Sequence, residues 1–218
     1  MAGRGILNLP SLFRVTDEQA MWRVKMQDDP QAFGQLVQRW ERPIQSLCTR
    51  MTGDLHRGED LAQETFARLF ARRKAYEPSG RFSTFLWRIA LNLCHDEFRR
   101  NARRRESPLQ PDDTHERQDL QLADERPAPD VALVGRERAE IVRRALLQLE
   151  EPYRTVVLLR HYEGLKFREI GEVLEIPEGT VKSRMAEAMG RLTHILNHSF
   201  NEEKITCIPK IKTEALPA

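Results

Sequence analysis

The sequence predicts an all-α protein, built as two small helical domains joined by a flexible acidic linker. Three observations carry that prediction. Apolar residues recur at helical spacing through most of the 218 residues, and few segments alternate with the period of a strand. One stretch, 107–130, sets Pro108, Pro111, Pro127 and Pro129 among acids with few large apolar groups, a composition that cannot bury enough surface to fold alone. The chain on either side of it is long enough for a core of its own. The expected organisation is an N-terminal extension at 1–16, a first domain at 17–105, the acidic linker at 106–130, a second domain at 131–196 and a C-terminal extension at 197–218.

The net charge of +2 conceals segregation. Between Arg81 and Arg105 seven basic residues face only Asp96 and Glu97, whereas from Glu106 to Asp130 eight acids outweigh Arg117 and Arg126. A basic block beside an acidic linker is a clue to function. No apolar run approaches the roughly 20 residues of a membrane span, and MAGRGILNLPSLFRVT at the N-terminus lacks the continuous apolar core of a secretion signal. The reading is a cytoplasmic protein with no membrane insertion. Cys48, Cys94 and Cys207 are scattered without metal-ligand spacing, so reduced thiols are expected, with no metal site and no cofactor.

In the first domain, a helix through Asp60 to Phe70 places Ala62, Phe66 and Leu69 on its buried side and Asp60, Gln63, Glu64 and Ala67 on the opposite one. That polar face is either solvated or a docking patch offering carboxylates and an amide to a basic surface. Tyr76 to Thr84 reads as a turn-prone loop bracketed by aromatics. Ser83 and Thr84 are suited to bond the edge of an unstacked base while Phe82 or Tyr76 stacks on its face, or else Phe82 and Phe85 belong to the core. The next helix, Thr84 to Arg99, carries an apolar arc of Leu86, Ile89, Ala90, Leu93 and Cys94. Its polar stripe of Arg88, Asn92, His95 and Arg99, flanked by Arg103, suits nucleic acid: arginines for phosphates and an amide able to read a base edge.

In the second domain, Phe167, Ile170 and Leu174 describe one short helix, Glu175 to Pro177 interrupt it, and Val181, Met185, Ala188 and Leu192 resume the pattern on another. Pro177 suits the first turn of that second helix. The pair reads as a helix-turn-helix, which lays its second helix in a major groove. With Val181, Met185 and Leu192 inward, Gly179, Ser183, Ala186 and Gly190 form the outward centre. Lys182 lies on one flank, and Thr180, Arg184, Glu187 and Arg191 lie on the other.

Three blocks in this order resemble the extracytoplasmic-function, or group IV, sigma factors of bacterial RNA polymerase. EDLAQETFARLF at Glu59 to Phe70 looks like the segment that docks on the polymerase's largest subunit. FSTFLWRIALNLCHDEFRR at Phe82 to Arg100 looks like the segment that opens and reads the −10 element, and LKFREIGEVLEIPEGTVKSR at Leu165 to Arg184 is similar to the helix-turn-helix that reads the −35 element. The resemblance implies a sigma factor that binds core polymerase through Asp60, Gln63 and Glu64. It would hold the melted −10 strand with Phe82, Ser83, Thr84, Arg88, Asn92, His95, Arg99 and Arg103, and −35 DNA with Thr180, Lys182, Ser183, Arg184, Glu187 and Arg191. It further implies an anti-sigma factor as a partner, an acidic linker threaded through the polymerase cleft, and a place on the nucleoid through polymerase. The chain departs from the family pattern at Ala186, where relatives are bulkier, and at Glu187, where they carry a cation. Glu187 repels phosphate unless it accepts from a cytosine amino group or pairs with Arg184 or Arg191.

Two other functions fit parts of this pattern. A helix-turn-helix activator that is not a sigma factor would use only Leu165 to Leu196. A nuclease would need Asp60 and Glu64 as metal ligands, but no further carboxylate or His stands at matching spacing and no nucleophile motif appears, so no catalytic residue is assigned.

Overall fold

The computed structural model describes residues 15–77, 80–106 and 129–206, and the described residues form helices with no strand. The helices are α1 (Asp17–Gln27), α2 (Pro30–Thr52), α3 (Leu55–Ala71), α4 (Phe82–Glu106), α5 (Pro129–Gln148), α6 (Glu151–Val157), α7 (Phe167–Leu174) and α8 (Glu178–Thr206). The all-α class expected from the periodicity is observed. Most of the acidic linker, the first fourteen residues and Cys207 lie outside the described residues. Two compact units result, one of residues 15–48 with 59–106, the other of residues 49–58 with 129–206.

In the first unit α1 starts at a capping box. Thr16 Oγ1 accepts from the Gln19 amide at 3.2 Å, and Gln19 Oε1 accepts from the Thr16 amide at 3.1 Å, so two orphan donors of the first turn are satisfied. Asp17 then ties α1 to α2, accepting from Arg39 at 2.6 Å and from Trp40 Nε1 at 2.9 Å. Asp29 caps α2 by accepting from the amides of Gln31 and Ala32, which together with the nearby Arg23 holds its carboxyl below the usual range. The core of this unit is Met21, Val24, Leu36, Ile44, Leu47, Leu69 and Leu86. Around it sits an aromatic cluster: Trp40 meets Trp87 at 5.5 Å and Phe82 at 6.0 Å, while Tyr76 meets Phe82 at 6.3 Å and Phe85 at 5.5 Å. Glu18 adds a polar anchor by accepting from the Phe82 amide at 3.2 Å, one of the unsatisfied donors at the start of α4.

In the second unit the end of α5 is closed from outside the helix. The buried Arg154 guanidinium donates to the carbonyls of Leu146, Leu147 and Leu149, at and just past the C-terminal end of α5, where backbone carbonyls run short of amide donors. Leu158 and Leu159, in a short π-helical turn at Leu158–Tyr162, fill the centre. Helix α7 starts at a capping pair in which Glu169 accepts from the Lys166 amide at 2.8 Å. It ends where Glu175 turns left-handed at φ 56°. Gly171 makes that turn tight, because the Ile176 amide reaches back to its carbonyl at 3.1 Å and a Cβ on Gly171 would lie 2.8 Å from the Ile176 carbonyl oxygen. Pro177 stands just ahead of α8 rather than inside its first turn, and its carbonyl accepts from the amides of Thr180 and Val181. Val181, Met185, Ala188 and Leu192 are buried, as their spacing required. Helix α8 continues past Leu196, where an extension was expected, and reaches Thr206.

Two stability predictions arise from this second unit. Gly171→Ala should lower unfolding free energy by about 1–3 kcal/mol, because the backbone oxygen it meets has no freedom to retreat. Urea unfolding of the full chain checks this, and an unchanged midpoint would contradict the close turn. Burial pushes the Glu163 carboxyl up to about 7, a push that the charge of Arg50 partly offsets. A carboxyl raised in the folded state binds its proton more tightly there than in the unfolded chain, so its contribution to stability is greatest at acid pH. That contribution falls between the unfolded value, near 4.5, and about 7. Glu163→Gln should flatten that part of the stability profile, measured as thermal midpoint against pH.

Candidate nucleic-acid interface

The buried arc of α4 decides what its other side shows. Leu86, Ala90, Leu93 and Cys94 are fully or nearly fully buried, and Trp87 and Leu91 are buried as well. Opposite them Asn92, Arg99 and Arg103 are exposed while Arg88 and His95 are half-buried, so the stripe read from the sequence lies along one side of one rod. Arg99 approaches Asp96 only to 3.9 Å, and Arg103 turns back to donate to the Arg99 carbonyl at 3.3 Å. The exposed Arg100 lies one step round the helix, 3.9 Å from the buried Glu97. Such a row sets one amide among cations on one side of the helix.

The reading of the segment before α4 needs correction. Phe82, Ser83 and Thr84 form the first turn of the helix and not a loop, and Phe82 is completely buried between Trp40 and Tyr76. Tyr76 is 1% exposed. Neither ring is available to stack on a base without leaving the core, so Phe82 acts by seating α4. Ser83 and Thr84 remain half-exposed at the helix start, beside the basic stripe. Residues 78 and 79 of the expected loop lie outside the described residues.

On α3 the division matches the expectation. Ala62, Phe66 and Leu69 are buried, and Asp60, Gln63, Glu64 and Ala67 are exposed, with Glu64 paired to Arg68 at 2.8 Å. Phe70 extends this face and was not singled out from the sequence. It is 37% exposed, meets Phe33 edge-on at 5.2 Å and carries the Arg73 guanidinium 4.2 Å above its ring. The signal was present, since Phe70 stands three residues after Ala67 and seven after Gln63, on the polar side of the helix.

On α8 the outward centre of Gly179, Ser183, Ala186 and Gly190 is exposed. Lys182 pairs with Glu178 at 2.7 Å, Ser183 Oγ donates to the Thr180 carbonyl at 3.0 Å, and Thr180 itself is half-buried. Arg191 is drawn out of the expected set of free cations, because it pairs with Glu187 at 2.8 Å and with Glu150 and lies 4.3 Å from the ring of Tyr153. These hydrogen bonds, to Glu187 first and then Glu150, hold its guanidinium still more firmly protonated than usual. Arg184 is half-buried and is the cation of this face without an ion pair among the described residues. Cys48 and Cys94 are buried, and no group of three or more His, Cys, Asp or Glu among the described residues is placed to hold a metal ion. No helix among them is long and apolar enough to cross a membrane.

Two helical modules, one with a cationic stripe over an aromatic core and one with a helix-turn-helix, have the features of a nucleic-acid-binding protein. The sigma-70 region 2 model matches residues 36–104 and the sigma-70 region 4 model matches residues 139–192. Among relatives, the ECF RNA polymerase sigma factor SigW of Bacillus subtilis is 35% identical over 158 residues, covering 72% of this chain and 84% of the relative. The RNA polymerase sigma-H factor of Pseudomonas aeruginosa is 30% identical over 190 residues, covering 85% and 96%. The fold is also that of the sigma factor RpoE of Bartonella quintana, solved in complex with the anti-sigma factor NepR, with a TM-score of 0.59 at 19% identity over 76% of this chain and 96% of that one. The chain belongs to the extracytoplasmic-function sigma factors of the sigma-70 family.

Burial separates two kinds of loss on α4. Phe82→Ala should cost about 3–5 kcal/mol of stability, as expected for a large buried ring. Asn92→Ala should leave stability within about 0.5 kcal/mol and weaken binding of single-stranded −10 DNA by holoenzyme. Thermal unfolding and a fluorescent strand-binding assay separate them, and equal loss of stability in both variants would contradict the assignment.

Proposed function

We propose that this protein is the promoter-recognition subunit of a bacterial RNA polymerase, directing core enzyme to the promoters of a specific regulon. The observation that carries the reading is the order of its parts: a carboxylate-and-amide face on α3, a cationic stripe on α4 and a helix-turn-helix at α7 and α8, each on a module that matches a sigma-70 region. An activator needs only the last of these.

Asp60, Gln63 and Glu64 supply the polymerase face, with Phe70 as an apolar anchor beside them. Arg88, Asn92, His95, Arg99 and Arg103, with Ser83 and Thr84 at the helix start, hold the opened −10 strand. Lys182, Ser183 and Arg184 carry the −35 contacts, the small outward side chains allowing close approach to the groove. Nucleotide addition belongs to the polymerase, and this chain contributes binding and strand separation, not catalysis of its own. It acts in the cytoplasm, where core enzyme and DNA meet. An anti-sigma factor fits as the controlling partner, since the Bartonella neighbour was solved in complex with one.

Reconstituted transcription tests the reading. With core enzyme the protein should bind directly and yield transcripts from a promoter selected out of genomic DNA. Asp60→Ala combined with Gln63→Ala should weaken core binding at least about tenfold, since docking energy concentrates in few residues. DNA binding without core association would favour the activator instead.

A further inference from the structure

Glu187 is the anomaly of the DNA-facing helix, a carboxylate on a surface that must approach phosphates. Its surroundings are built to keep it there. Arg191 Nε donates to Glu187 Oε1 at 2.8 Å, the same guanidinium donates through Nη1 to Glu150, and its plane lies 4.3 Å from the Tyr153 ring centroid. Glu150 and Tyr153 belong to the junction of α5 and α6, so the clamp is anchored outside α8. Arg191 therefore has two of its nitrogens and one of its faces engaged before any DNA arrives. Glu187 Oε2 remains open, on a side chain 54% exposed.

The neighbouring outward positions are Ser183, Ala186 and Gly190, none with more than one heavy atom beyond Cβ. They let the helix backbone approach the groove floor, within reach of a side chain as short as glutamate. A charged carboxylate accepts and never donates. In the major groove guanine offers the acceptors N7 and O6 and thymine offers O4, so both are repelled. Adenine offers N6 as a donor but sets the acceptor N7 beside it, whereas cytosine offers its N4 amino group with no acceptor beside it.

Resting on the sigma-factor reading, we propose that Glu187 reads the amino group of a cytosine in the −35 element, and that Arg191 is a positioning residue that holds Glu187 in place rather than a DNA contact. The arrangement offsets half of the clamp's charge locally and turns a position unsuited to phosphate into a determinant of promoter choice. Replacing Glu187 by Gln converts the acceptor into an amide, which pairs in two-point fashion with adenine N6 and N7.

The test is transcription by full-length protein with core enzyme from a promoter library randomised across the −35 element, read by sequencing the transcribed templates. Wild type should enrich cytosine over guanine or thymine about tenfold at one position of one strand. Glu187→Gln should move that position alone toward adenine. Arg191→Ala should flatten it while leaving the preferences at the other positions in place, and Arg191→Lys should restore part of the preference. A Glu187→Gln profile identical to wild type, with transcription intact, overturns the assignment of Glu187. A uniform loss across all positions in Arg191→Ala marks a phosphate contact and overturns its positioning role. If wild type transcribes no member of the library, both this proposal and the sigma reading fall.

Discussion

Everything this protein offers to a partner is set by which stripe of each helix has to be buried. The two units are small, so a helix gives its apolar side to the core, and that choice settles what its other side shows. On α4 the burial of Leu86, Ala90, Leu93 and Cys94 beside Trp40 and Trp87 leaves the arginines and Asn92 outward. On α8 the burial of Val181, Met185, Ala188 and Leu192 leaves a ridge of small residues outward. The polar anchors serve this constraint. Glu18 fixes where α4 begins, and Arg154 closes the end of α5 without adding a residue to the helix.

The faces proposed to meet DNA are tied down lightly in the free protein. Lys182 with Glu178, and Arg99 with Asp96, are exposed pairs of the kind worth at most about 1 kcal/mol, so phosphates compete with them easily. Arg191 differs because it is held by Glu187 of its own helix, by Glu150 at the N-cap of α6 and by the Tyr153 ring, and a group held on three sides is not surrendered to a phosphate at the same small cost. That contrast distinguishes cations available to DNA from one that shapes the site.

Periodicity exposed most of this in the sequence. Where one residue type dominates each side of a helix, as on α3 and α8, the buried and exposed sets followed directly from spacing. The reading failed where local and tertiary signals compete. Tyr76 to Thr84 has turn-forming residues, yet Phe82 enters the helix because its ring completes an aromatic cluster with Trp40, a residue far away in sequence. Phe70 is hard to place by residue type, since aromatics usually belong to cores, although its register sets it with Gln63 and Ala67. The pairing of Arg191 with Glu150 joins residues whose proximity depends on how α8 lies against the α5–α6 junction, which spacing along one helix does not reveal. Pro177 sits one step earlier than its helix preference suggested because its carbonyl is needed as the first acceptor of α8.

The central claim is that separate exposed stripes on α4 and α8 grip one promoter at two points. Footprinting of the reconstituted holoenzyme on a single promoter, with permanganate reporting unpaired thymines in the same sample, tests it most directly. The account predicts upstream protection together with an opened −10 region for wild type. Replacement of Arg88, Arg99 and Arg103 by alanine should leave upstream protection and abolish opening. Loss of both signals together, or opening that persists in that variant, would contradict the division of labour between the two helices.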